Sequence, residues 1–148
     1  MLKRHEWETR IKDVEREFRA MESAGERLRD SVARDPTIAM TDPRVQMIGD
    51  ARSNLEGTYL VRLYAVFENG IREYWMTVVR PTKPPMEVLL KSIASKRRIQ
   101  HELSQPVDEV RTYRNSIVHD HSEQFLPIRL SDARRRLCMY FSRMPYDW

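Results

Sequence analysis

The segment Tyr113-Arg114-Asn115-Ser116-Ile117-Val118-His119-Asp120-His121 places a permanent cation, a small amide and an imidazole within six residues, Arg114 to His119. Arginine offers a planar fork that neutralises two phosphoryl oxygens. Histidine titrates near neutrality and can move a proton. RNA carries its own nucleophile, the 2′-hydroxyl. A general acid or base and a charge stabiliser are therefore enough to cleave it without a metal. On a helix, Arg114 and Asn115 begin one turn before His119, which falls at or near the helix end. The tips of Arg114 and His119 can then meet at one phosphate, and Asn115 can hold that phosphate or the imidazole. The spacing alone is weak: 21 arginines and 4 histidines in 148 residues put a histidine five places after an arginine about 0.6 times by chance. The surroundings must decide.

Other chemistries lack their parts. His119-x-His121 looks ligand-like, but His101 and Cys138 are the only other imidazole and thiol candidates near it in sequence. Structural zinc takes four ligands and catalytic zinc about three. No metal or cofactor is expected. Ser116 lies one helical turn before His119, yet a Ser-His hydrolase also needs an orienting acid and an oxyanion hole, and no Gly-x-Ser-x-Gly elbow is present. The glycines at 25, 49, 57 and 70 are isolated, so no loop can cradle phosphates. A DNA-reading helix pair around Ser104-Gln105-Pro106 is a further alternative.

The elements that must position this segment are set by proline. Prolines at 36, 43, 81, 84, 85, 106, 127 and 145 leave the proline-free stretches 1–35, 44–80, 86–105, 107–126 and 128–144. A proline inside a helix costs about 3 kcal/mol, so helices are expected between these points. In the first stretch Trp7, Ile11, Val14, Phe18, Met21, Leu28 and Val32 form one apolar stripe, with Gly25 at the one missed position. Residues 35–43 read as a linker, with Thr41 or Asp42 before Pro43 as a helix start. Residues 44–80 are the most apolar and aromatic part and read as one central helix, with a strand over 76–79 as the competing reading. Pro106 suits a first helical turn, with Asp108 and Glu109 complementing its dipole. Ser131 and Asp132 are expected to cap a last helix that buries Ala133, Leu137, Tyr140 and Phe141. The sum is an all-α, up-and-down bundle of about five helices in one domain, residues 1–148.

Composition fits a soluble, cytoplasmic protein. The chain is 41% hydrophobic and 32% charged, with a net charge of +4, and arginine supplies 21 of its 26 basic residues. No stretch approaches the roughly 20 apolar residues that span a membrane. The first residues have charges but no apolar signal core behind them. The single cysteine, Cys138, forms no internal disulfide. Lys96-Arg97-Arg98 and Arg134-Arg135-Arg136 read either as solvated faces or as contacts to a phosphate backbone. Most aromatics are expected in the core; Trp148, following Tyr146, is the one helical periodicity explains least.

Arg114-Asn115, two variable positions and Val118-His119, near a helix end in a small all-α chain, resemble the HEPN superfamily. That family's signature is an arginine, a polar residue directly after it, and a histidine a few residues on. The aromatic helix Leu63-Tyr64-Ala65-Val66-Phe67-Glu68-Asn69-Gly70 and the closing Leu130-Ser131-Asp132-Ala133-Arg134 segment are similar too. The resemblance covers residues 44–148; residues 1–35 match only as a long first helix. It implies a metal-independent endoribonuclease that leaves 2′,3′-cyclic phosphate and 5′-hydroxyl ends. It further implies a homodimer with two Arg-His motifs lining one cleft, and a role in toxin–antitoxin or phage-defence systems with an antitoxin or defence partner. Arg114, Asn115 and His119 would be catalytic, with Glu68, Asp120 and His121 supporting them. Glu68 would orient Arg114, or else be a surface acid. Lys96, Arg97, Arg98 and Arg111 would bind RNA. A subgroup carries tyrosine two residues after the histidine; here that position is His121. The alternative is a HEPN-like module that binds RNA or a protein without cleaving.

Overall fold

A computed structural model describes residues 2–119 and 125–148. They form seven α-helices: α1 (Arg4–Arg34), α2 (Thr37–Thr41), α3 (Pro43–Ser53), α4 (Leu55–Tyr74), α5 (Met86–Arg97), α6 (His101–Val118) and α7 (Leu130–Phe141). No strand occurs among the described residues. The chain is thus all-α, with more helices than the five expected.

The core is the meeting of α1, α4, α6 and α7. Trp7, Ile11, Val14 and Phe18 bury the first turns of the α1 stripe. Met21 stands exposed, because the later half of α1 faces α2 and α3, neither of which buries a residue. At Gly25 an added Cβ would lie 2.6 Å from Arg52 Cδ, so the missed position in the stripe is where the Arg52 side chain crosses α1. On α4, Leu60, Leu63, Tyr64, Phe67, Ile71 and Tyr74 fill the bundle's centre. A Cβ at Gly70 would meet Phe141 Cζ at 2.6 Å and Trp7 Cδ2 at 2.9 Å, so the missing side chain lets α1, α4 and α7 close on one another.

Several boundaries differ from those the prolines suggest. Asp42 caps α3 by accepting from the Arg44 N–H at 3.0 Å, with Pro43 at the first position, as expected. The stretch after it breaks at Asn54, which ends α3 and begins α4. That break separates an apolar helix from one with no buried face. Residues 75–79 are a π-helical turn, not a strand, closed by the Arg80 N–H donating to Trp75 O at 3.0 Å. Pro106 lies inside α6, one turn beyond its start at His101. Burial of Val107 and Val110 outweighs the one backbone bond the proline cannot make. The start of α7 is not capped by Ser131. Instead Glu56, from the first turn of α4, accepts from the Leu130 N–H at 2.8 Å. Trp148 is part of the packing, edge-on to Tyr74 with ring centres 5.5 Å apart.

Candidate functional site

Arg114 sits half-buried on the side of α6 that faces α4. Its guanidinium carbon lies 5.7 Å from the centre of the Tyr64 ring. One nitrogen, Nη1, donates to Asn115 Oδ1 at 3.0 Å, while the buried Nε has no partner among the described residues. Burial pushes the Tyr64 phenol far above its usual range; Glu68 adds to the shift and Arg111 and Arg114 oppose it. The ring is therefore a neutral π-face beneath a cation.

Among the described residues nothing cancels the charge of Arg114. No carboxylate pairs with it among the described residues, whereas Arg111, one turn earlier, donates to Asp108 at 2.8 Å and approaches Glu87 at 4.0 Å. Arg111 is thus committed to neighbouring acids, which weakens its expected role as a phosphate contact.

Asn115 links both ends of the motif. Its side-chain carbonyl accepts from Arg114, and its main-chain carbonyl accepts from the His119 N–H at 3.0 Å. His119 closes α6, and its side chain is exposed. No hydrogen bond joins the Arg114 and His119 side chains among the described residues. Asp120 and His121 lie outside the described residues. Ser116 is buried and donates from Oγ to Tyr113 O at 2.6 Å, an ordinary helical back-bond.

Glu68 does not hold Arg114. It pairs with Arg72 one turn along α4, accepting from Nε at 2.8 Å, and Arg72 also donates to Pro84 O at 3.0 Å. The pair i,i+4 on one helix forms more easily than one across helices, and it ties α4 to the loop before α5.

Lys96, Arg97 and Arg98 are exposed at the end of α5, beside the start of α6. His119 is at the other end of α6. Nineteen residues at about 1.5 Å each separate Gln100 from His119, some 28 Å along the axis. Within one copy the basic run therefore does not flank the motif. A cavity of about 870 Å³ opens between α6, α7 and residues 125–129, lined by Asp108, Tyr113, Leu126 and Arg136 among others. A second, of about 580 Å³, lies between α4 and the end of α6 and takes in Gly57, Ile117 and Val118. Neither is lined by Arg114 or His119. Among the described residues, no three His, Cys, Asp or Glu side chains group to hold a metal ion. No helix among them is long and apolar enough to cross a membrane.

No family model matches the chain, and no curated protein or solved structure is significantly similar to it.

One contributor has no sequence signal of its own: Tyr64 reads as one more core aromatic on α4.

Proposed function

We propose that this chain is a metal-independent endoribonuclease of the HEPN type, working as a homodimer whose two Arg114–His119 motifs share one cleft. The observation that carries the reading is the charge of Arg114, half-buried over a neutral ring and unpaired with any carboxylate among the described residues. A cation kept so is free to meet a phosphate. In the reaction the 2′-hydroxyl attacks the adjacent phosphorus and the bond to the 5′-oxygen breaks. The products are a 2′,3′-cyclic phosphate and a 5′-hydroxyl. His119 moves the proton, as base on the 2′-hydroxyl or acid on the leaving oxygen, or positions the 2′-hydroxyl. Arg114 stabilises the charge that builds on the phosphoryl oxygens, and Asn115 orients both groups. A cytoplasmic toxin or phage-defence effector, held in check by a partner protein, is the setting that suits such an enzyme.

End-labelled RNA incubated with the protein in EDTA tests this. Cleavage with cyclic-phosphate ends is expected, together with its loss in Arg114→Ala and in His119→Ala. No cleavage by the wild type, or equal cleavage by both variants, overturns it. One observation favours a second reading, a non-catalytic RNA-binding or protein-interaction module: neither motif side chain lines the cavities beside α6. That module would bind through the same residues and give no cyclic product.

A further inference from the structure

We infer that the junction of α5, α6 and the end of α7 is a binding groove for the phosphodiester backbone of single-stranded RNA, remote from the Arg114–His119 motif. The choice of RNA as the polyanion rests on the function proposed above; the groove itself stands on separate observations.

The first is the groove's lining. It encloses about 440 Å³ and is walled by Arg97, Arg98, Gln100, Ser142 and Arg143 among others. Lys96 adjoins it in sequence. None of these four cations has a carboxylate partner among the described residues, while the arginines of α7 are tied up: Arg134 by Glu15, and Arg135 and Arg136 by Asp132. The nearest acid in sequence, Glu102, turns to the adjacent cavity with Arg135 and Arg136.

The second is how the helix ends are arranged. Two helices finish here and one begins. Several of the carbonyls at these helix ends are already engaged. Ala94 and Ser95 accept from the Arg98 and Ile99 N–H groups. Ser142 and Met144 accept from Arg4 Nη1, at 3.0 and 2.9 Å. The start of α6 is the opposite pole: Gln100, its N-cap, makes no side-chain capping bond, and the Leu103 and Ser104 N–H groups donate to its carbonyl at 3.0 and 3.1 Å, which leaves the His101 and Glu102 N–H groups for a ligand.

The third is Arg98 itself. With φ 51° and ψ 43° it is the only non-glycine residue at positive φ among the described residues. Glycine ordinarily fills this helix-ending position because it has no Cβ to strain. An arginine there accepts a conformational cost and gains a cation in the groove. Strain of this sort is a pointer to function. The concave, mostly polar shape suits a threaded backbone; a membrane surface would call for protruding apolar residues beside the cations.

The test uses His119→Ala protein, so that the RNA stays intact, and a labelled single strand of about 16 nucleotides. Binding is followed by fluorescence anisotropy across a salt series. Combining Arg97→Gln, Arg98→Gly and Arg143→Gln should weaken binding at least tenfold. It should also flatten the plot of log K against log salt by about 2, at roughly 0.7 per phosphate contact. Arg98→Gly alone should melt no lower than its parent yet bind more weakly, which separates lost contacts from lost fold. Unchanged affinity and slope in the triple variant, or no RNA binding by the parent, overturns the groove. So does displacement of the RNA by inorganic phosphate at constant ionic strength, which would assign the site to a lone phosphate. If wild type fails to cleave RNA while the triple variant still loses binding, the nuclease reading falls and the groove stands. If wild type cleaves and the triple variant binds as before, the reverse holds.

Discussion

Arg114 and Tyr64 face each other across the α4–α6 contact at 5.7 Å, each with one buried polar atom, Nε and the phenol hydroxyl, that lacks a partner among the described residues. The aromatic face, not the hydroxyl, is what meets the cation. Tyr64→Phe keeps the face and removes an unpaired buried group, whose burial costs about 1–3 kcal/mol. Its thermal midpoint should match or exceed that of wild type. Tyr64→Leu removes the face and should lower the midpoint. A drop of several degrees in Tyr64→Phe would mean that the hydroxyl has a partner.

Gly70 and Gly49 should respond oppositely to the same substitution. A methyl at Gly70 runs into the rings of Phe141 and Trp7, whereas nothing lies within 4 Å of one at Gly49. Gly70→Ala should cost about 1–3 kcal/mol through overpacking, which lowers the midpoint by about 2–4 °C for each kcal/mol. Gly49→Ala, inside α3, should add up to about 1 kcal/mol. Calorimetry on the two variants checks both signs.

Glu15 is buried, only 7% exposed, and is held between Arg134 of α7 and Arg19 of its own helix. Arg134→Ala leaves that carboxylate with the exposed Arg19 alone and should cost about 3 kcal/mol. Replacing both partners by apolar residues, Glu15→Leu with Arg134→Met, should recover much of the loss, because it removes the stranded charge. Denaturant midpoints of the three proteins decide it.

Acid should act through Asp132. Burial pushes its carboxyl up, but hydrogen bonds from Arg135 and Arg136 outweigh that, and the net direction is down. A carboxylate with a lowered folded value stabilises the fold above its unfolded value of about 3.9. That contribution fades as the pH falls through the folded value. Asp132→Asn should therefore be less stable than wild type at pH 7, with the gap closing in strong acid. A gap that stays constant with pH would show that the charge of Asp132 is not what matters.

What the sequence made legible was whatever depends on local chemistry. The Trp7-Ile11-Val14-Phe18 stripe, the Asp42-Pro43 helix start and the inward face of α7 follow from spacing and capping alone. The chain hid whatever depends on a distant partner. Glu56 caps a helix that begins 74 residues later, and nothing near Leu130 announces it. Pro106 looks like a helix start until Val107 and Val110 are seen in the core. At the candidate site, the grouping of Arg114, Asn115 and His119 at the end of one helix was legible, but the sequence reading had Asn115 holding a phosphate or the imidazole, not accepting from Arg114. The Tyr64 face under Arg114, the diversion of Glu68 to Arg72 and the joining of Arg143 to Arg97 and Arg98 arise only when helices pack.

On the proposed function, the length of α6 would bear on substrate size. Gln100, two residues beyond Arg98, and His119 stand at its two ends, about 28 Å apart at 1.5 Å per residue. A strand stacked at the duplex rise of about 3.4 Å per nucleotide would cover that span with roughly eight nucleotides, and an extended single strand with fewer. On the proposed nuclease and groove readings together, helix α6 would act as a ruler. A fragment shorter than the span can touch one end or the other, and only a longer strand can feel both.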